Sequence, residues 1–322
     1  MAFKGWPKVR LTAADGQEVS AIAPLIVSAS RFSDIPAFHG EWFVKQLQQG
    51  FCHWTNPYSR STSLVSLEQC RFFVFWTKNP APFVCALDRV IERGAQFYLH
   101  FTCNDYDTQR YEPFVPPLEQ RIHTFHALAA RFGMQRLVWR FDPVLLSDSL
   151  SLETIIERAQ RLARALQGAT DTMVFSFVGI HNYRRVQAHL RRCAPDMREL
   201  TRDEKISFVK EVAPVVYQAG MRMVSCAEPL DLSPWGVGRS RCIDPQRIGA
   251  LAADDRVLQR FLDPQPQQMS LGLGLDEGTQ RLAHPLRDSG QRELCGCIVS
   301  KEIGRYGSCG HGCVYCYANP TA

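Results

Sequence analysis

The strongest constraint in this chain is a rhythm. Apolar runs of strand length recur between stretches of helical length, at residues 22–30, 70–76, 96–102, 136–142, 172–178 and 222–228. Each is rich in β-branched or aromatic residues and is bounded by polar or turn residues. Continuous apolarity, rather than alternation, marks strands covered on both faces, as in a parallel sheet. The intervening segments carry helix signals. "EWFVKQLQQG" closes on Gly50, a residue suited to a C-cap. Residues 116–133 open on prolines, repeat Leu118, Ile122, Phe125 and Leu128 at helical spacing, and close on Gly133. Residues 151–168 offer Ser151 as an N-cap and close on Gly168; residues 202–220 run likewise to Gly220. The βαβα order predicts an α/β fold with a parallel sheet, either open or curled into a full or partial barrel, with its site at the C-terminal ends of the strands; a partial (β/α)6-type barrel is the expected form.

With 322 residues, 45% of them hydrophobic, a large core needs no covalent staple. No run of roughly 18 apolar residues exists, which predicts no membrane span. The first twenty residues lack an apolar signal region, so a cytoplasmic location is expected. In that reducing compartment the 12 cysteines are not a disulfide framework, and clustered ones point to metal or redox ligands. A net charge of +5 is compatible with a phosphate-bearing partner and equally with an ordinary, slightly basic surface. The strand rhythm ends near residue 228. The expected organisation is therefore a β/α core over 1–228 and an irregular, Cys-rich region over 229–322, including a Gly-, Pro- and Gln-rich linker at 263–279.

The expected strand ends are loaded with polar groups: Ser30, Arg31, Asp34, Lys78, Cys103, Asn104, Asp105, Arg140, Asp142, Cys226 and Glu228. One polar strand end means little, because loops are polar. Several in series describe a lined mouth.

Cys309, Cys313 and Cys316 stand at C-x3-C-x2-C within "YGSCGHGCVYCYANPTA". Three thiolates on one short loop can hold three corners of a cubane iron–sulfur cluster, and Gly307, Gly310 and Gly312 let the backbone wrap closely. A fourth iron without a protein ligand is an open coordination site. The alternative is a closed zinc loop, with His311 completing four ligands from an awkward position inside the loop.

"CGHGCVYCYA" resembles the cluster loop of the radical SAM superfamily, in particular the branch of spore photoproduct lyase and the DNA-repair-photolyase-like proteins. "SASRFSDIPAF", "FFVFWTKNPAPFV", "VWRFDPVLLSD" and the segment with Glu112-Pro113, Pro117, Arg121 and Gly133 are similar to strand ends of that branch. The matches cover 26–148 and 306–318, but the loop follows the strands it normally precedes, as a circular permutation would produce. The whole chain also resembles a bacterial family described as a domain of unknown function, whose members carry "CAE", "CID", "CGC" and "IG-x-Y".

The radical SAM resemblance implies that Cys309, Cys313 and Cys316 hold a 4Fe-4S cluster whose fourth iron is chelated by S-adenosyl-L-methionine (SAM). Tyr315 would lie against the adenine, and Arg140 or Lys78 would meet the methionyl carboxylate, with Ser30, Asp34 and Asp142 close by. Reductive cleavage of SAM would give a 5′-deoxyadenosyl radical. Flavodoxin or ferredoxin would donate the electron. The substrate stays open among a nucleic-acid lesion, a nucleoside, a peptide and a small metabolite. With few residues after the loop, cover for the cluster is expected from residues 1–20 or 229–300.

Cys226, Cys242, Cys295 and Cys297 form a second group in the C-terminal third. Four ligands would close a second centre, either an iron–sulfur cluster or zinc. Cys103, at the mouth, is a candidate catalytic hydrogen donor. Cys52, Cys70, Cys85 and Cys193 are expected to act as small hydrophobes. His100, His123 and His126 form no recognisable metal motif. A different class of function also accounts for the cysteines and arginines: a non-catalytic, metal-stabilised module that binds nucleic acid, with "RRVQAHLRR" (184–192) as a basic face.

Overall fold

A computed structural model describes residues 3–12, 18–181, 184–263 and 286–318. Two sheets organise them. The smaller comprises β1 (Lys8–Thr12), β2 (Glu18–Ile22), β4 (Phe51–Thr55) and β5 (Thr62–Ser66), in the order β1-β2-β5-β4. The larger comprises β3 (Ile26–Ser28), β6 (Phe72–Thr77), β7 (Gln96–Thr102), β8 (Leu137–Val144), β9 (Thr172–Phe177), β10 (Arg222–Ser225), β11 (Gly238–Arg239) and β12 (Lys301–Glu302). Its order is β11-β10-β9-β8-β7-β6-β3-β12, and every neighbouring pair is parallel. The chain is thus an α/β protein built on a parallel sheet.

Local sequence explains the helices between the strands. They are α1 (Ile35–Phe38), α2 (Gly40–Gln49), α3 (Val84–Glu92), α4 (Leu118–Phe132), α5 (Leu152–Ala165), α6 (Arg184–Cys193) and α7 (Arg202–Gln218), then α8 (Pro245–Leu251) and α9 (Arg256–Leu262). Ser151 caps α5 by accepting from the Thr154 N–H at 3.2 Å. Thr201 and Glu204 form a reciprocal capping box on α7. Gly50 closes α2 with φ +81°, a conformation that glycine adopts without a Cβ penalty.

The sheet is buried on both faces because its strands are apolar throughout. Phe73, Phe75, Phe97, Leu99 and Phe101 point into one core, covered by α2 to α7. Their strand neighbours Phe72, Val74 and Tyr98, with Val138 and Val174, point into a second core, closed by α8, α9 and residues 286–299. The C-terminal third therefore covers one face of the sheet and also supplies both edge strands. At one edge Lys301 and Glu302 pair with Val27 and Ser28, so the last strand in sequence lies beside the first strand of the large sheet.

The small sheet goes beyond the sequence expectation. Its strands are five residues long and partly exposed, too short and too mixed to register as apolar runs. Most of the expected linker, residues 264–279, lies outside the described residues. No helix among the described residues is long and apolar enough to cross a membrane.

Candidate functional site

All strands of the large sheet run the same way, so their C-terminal ends share one side. Residues 29–34, 78, 103–112, 140–142, 226–228 and 304–318 converge there. The loop at 306–318 is tied down at many points. Asp34 holds it most centrally. Its Oδ2 accepts from the Lys78 N–H at 2.7 Å and pairs with His311 Nε2 at 2.7 Å, while Oδ1 caps α1 through the Ala37 N–H at 2.9 Å. His39 Nε2 meets the Ser308 carbonyl at 2.8 Å, and the Ser308 hydroxyl donates to Ser33 at 2.8 Å. The Val314 N–H donates to the Tyr111 carbonyl at 3.0 Å, and Tyr317 donates to the Arg31 carbonyl at 3.0 Å.

Glycines fit this loop into its bed. A Cβ on Gly310 would meet the Phe38 ring at 2.9 Å, and one on Gly312, whose φ is +65°, would meet Phe114 at 3.0 Å. Among the described residues, Phe38 and the 111–114 segment lie against the loop. Phe3 and Trp6 pack on Phe261 in the second core. "IG-x-Y" has a similar cause: a Cβ on Gly304 would fall on the Ser30 side chain, and Tyr306 stacks on Phe32 at 4.2 Å.

Cys313 is buried, and Cys309 and Cys316 are half-buried. Burial pushes the Cys309 and Cys313 thiols up, Cys313 the further, with Lys78 working against the shift at Cys313. His311 cannot complete a zinc set as it stands: Nε2 is taken by Asp34, and Nδ1 lies 3.3 Å from the Phe114 carbonyl.

Beneath the loop lies a buried polar network centred on Glu112. Lys78 Nζ contacts Glu112 Oε1 at 2.7 Å and Tyr315 Oη at 3.2 Å. Tyr315 also donates to Glu112. Asn104 Nδ2 donates to Glu112 Oε1 at 2.8 Å and to the Asp142 carbonyl at 3.0 Å. Arg121 lies beyond, its Nη1 3.8 Å from Glu112 Oε2 and its Nη2 2.7 Å from Asp107. Burial opposes the charge on Glu112, but Lys78 and Arg121 outweigh it and hold its carboxyl down to about 2. Glu112 Oε2 itself accepts no hydrogen bond.

The remaining expected residues divide between packing and this network. Ser30 is buried, and its hydroxyl accepts from the Phe32 N–H at 2.9 Å. Arg140 binds Asp142 through Nε at 3.0 Å and through Nη2, and its Nη1 donates to Cys242 Sγ at 3.1 Å. Asp142 also accepts from Ser176, and Arg140 keeps its carboxyl below the usual range despite burial. Cys103 lies in the first core, where burial raises its thiol to about 12. Cys52 and Cys70 are buried as expected, whereas Cys85 and Cys193 are exposed. On α6, Arg184, Arg191 and Arg192 are exposed while Val186 and Leu190 are buried, the pattern of an amphipathic helix on a core.

Four cysteines from three separate segments meet in the second core. Cys226 Sγ lies 3.8 Å from Cys242 Sγ, and Cys297 Sγ accepts from the Cys242 N–H at 3.1 Å. Among the described residues, no group of three or more His, Cys, Asp or Glu side chains closes around one point as ligands of an ion. His100 stands beside these cysteines, unremarked by any sequence motif. Its Nε2 meets the Cys242 carbonyl at 2.8 Å, its Nδ1 has no partner, and burial lowers its pKa to about 4.

The fold and the strand-end site define a class: an α/β protein with a parallel sheet and a Cys-bearing loop laid across the strand ends. Residues 26–318 match the family model described as Domain of unknown function (DUF1848), and the chain belongs to that family. No curated protein and no solved structure matches it.

Proposed function

We propose that this protein is a radical SAM enzyme on a circularly permuted partial barrel, with Cys309, Cys313 and Cys316 holding a 4Fe-4S cluster. One observation carries the reading: β12, which leads into the Cys loop, occupies the edge beside β3 although it comes last in sequence. That is the position a permuted first strand would take. It lets a loop after the last strand serve the ends of all the others.

The site fits the group on other grounds. Three thiols sit on one loop whose glycines lie flush against Phe38 and Phe114. His311, the nearest alternative ligand, is engaged elsewhere. Glu112 Oε2 accepts no hydrogen bond and faces Arg121 at 3.8 Å, so the network under the loop carries a buried negative charge that could add to the field felt by the ammonium and sulfonium of SAM. When bound, the cluster supplies the electron that cleaves SAM to methionine and a 5′-deoxyadenosyl radical. The chain's own residues do the rest. Asp34 and His311 fix the loop, Glu112 and Lys78 orient Tyr315, and Phe38, Pro113 and Phe114 exclude water. Lys78 and Arg140 are both already ion-paired, so contact with a carboxylate would add to those pairs. An acidic flavodoxin- or ferredoxin-like donor would approach the half-buried Cys309 and Cys316, next to the exposed Arg305.

The test is anaerobic reconstitution with iron and sulfide, followed by reduction in the presence of SAM. About 4 irons per loop cluster and formation of 5′-deoxyadenosine are expected. Cys313→Ala should reduce that product to the protein-free background. Full activity in this variant would overturn the reading.

A further inference from the structure

We infer that Cys226, Cys242, Cys295 and Cys297 form a second, closed four-thiolate metal centre in the core beneath the sheet, independent of the terminal loop. The argument starts from hydrogen-bond direction. Four donors aim at these sulfurs. The Cys242 and Ile243 backbone N–H groups point at Cys297 Sγ at 3.1 and 3.4 Å. Arg140 Nη1 donates to Cys242 Sγ at 3.1 Å, and Arg292 Nη2 donates to Cys226 Sγ at 3.5 Å. A neutral thiol is a weak acceptor and does not call for two backbone amides and two guanidinium groups. A metal-bound thiolate is a strong one, and amide and cationic donors to sulfur tune such centres.

Charge gives a second argument. All four cysteines are buried, packed with the second apolar core and touched by Arg140 and Arg292. Buried arginines are costly unless an opposing charge is near. Arg140 has Asp142. Half-buried Arg31 has an unpartnered Nη2, and the groups in its electrostatic reach are Glu302, Asp288, Cys297 and Cys242. Four thiolates on one divalent ion, or on an oxidised cubane, carry a net charge of about −2. Such a centre would add negative charge beside Arg140 and Arg31, whose other partners are Asp142, Glu302 and Asp288.

Spacing gives a third. Sulfurs arranged tetrahedrally at about 2.3 Å from one ion stand about 3.8 Å apart. Cys226 and Cys242 Sγ are 3.8 Å apart, and Cys297 Sγ sits 3.1 Å from the Cys242 N. The thiols become a closed set when protons leave and the χ1 torsions turn inward. The chemistry shared by zinc and an iron–sulfur cluster is thiolate ligation, and the choice between them is an outcome of the test.

The decisive protein is the full chain carrying Cys309→Ala, Cys313→Ala and Cys316→Ala, which removes the loop thiols. It is incubated anaerobically with zinc alone, or with ferrous iron and sulfide. Retention of about one zinc, or of about four irons with matching sulfide, supports the centre and identifies its occupant. Adding Cys242→Ser and Cys297→Ser should remove that metal while circular dichroism stays native. A folded triple variant that binds neither metal overturns the inference, as does binding that survives the two serines. If the triple variant does not fold, Cys242→Ser with Cys297→Ser in the otherwise intact chain should lower bound metal by the same increment. An unchanged metal content overturns the inference again. None of these readouts needs SAM cleavage, so failure here is separate from failure of the loop's proposed chemistry.

Discussion

The terminal loop and the buried quartet assemble cysteines in opposite ways. Cys309, Cys313 and Cys316 lie within eight residues, and short-range geometry alone keeps them together. Cys226, Cys242, Cys295 and Cys297 come from the end of β10, the segment after β11 and the strand-free stretch before β12. Only the closed second core brings them within contact. The loop keeps two thiols half-buried at the mouth, whereas the quartet is sealed. The loop's partners are hydrogen bonds to backbone and to Asp34; the quartet's are guanidinium and amide donors aimed at sulfur. The difference teaches that a local motif can stay accessible at the rim, while a cysteine cluster spread over some seventy residues assembles only inside a completed core.

The comparison can be broken in several ways. Its largest expected effect is on activity. Cys313→Ala should abolish SAM cleavage, whereas Cys242→Ser should leave the loop's iron in place, as read by iron analysis and 5′-deoxyadenosine formation. Equal loss of loop iron in both would erase the distinction between the two groups.

Stability should respond most to Glu112, the buried anion under the loop. Glu112→Gln removes the charge that Lys78 and Arg121 share, leaving buried Arg121 and half-buried Lys78 under-compensated. A loss of about 3–5 kcal/mol is expected in urea unfolding. A change below about 1 kcal/mol would show that the network is solvated rather than buried.

Gly304→Ala should cost about 1–3 kcal/mol by overpacking, because its methyl would fall on Ser30. Adding Ser30→Gly should recover part of that loss, measured as a double-mutant cycle. No coupling between the two positions would refute the close approach.

The smallest effect is in acid. His100 is held neutral in the fold with a pKa of about 4, below its ordinary 6.5, so the unfolded chain takes up the proton first. Its contribution is present above pH 6.5 and is lost as pH falls toward 4. Glu112, depressed from 4.5 to about 2, adds a further loss between those values. His100→Asn should flatten the upper limb and leave the lower one. Equal slopes in both proteins would place His100 in contact with solvent.

Much of the fold was legible in the sequence. The run at 96–102 is β7 itself; those at 22–30, 172–178 and 222–228 contain β3, β9 and β10, and those at 70–76 and 136–142 overlap most of β6 and β8. Their apolar continuity follows from two buried faces, so the pattern carried the architecture. Gly50, Gly133 and Ser151 marked helix ends because capping is local chemistry. The small sheet was not legible, since short, half-exposed strands leave no run to detect. At the site, the loop cysteines, Asp34, Lys78 and Tyr315 stood out as residues, but the roles of Asp34 and Lys78 did not. Both hold the loop and its supporting network in place. Glu112 and Arg121 were visible only through a family-like segment, and His100 only as a histidine without a motif.

By itself, then, the sequence determined the repeating α/β plan, the loop of three thiols and the polar strand ends, because all three are written in short-range periodicity and spacing. Tertiary structure decided that the last strand lies beside β3, that Phe38 and Phe114 cover the loop, and that four scattered cysteines share one core. Those outcomes depend on which surfaces meet once the sheet closes between its two apolar layers, and no local pattern encodes that meeting.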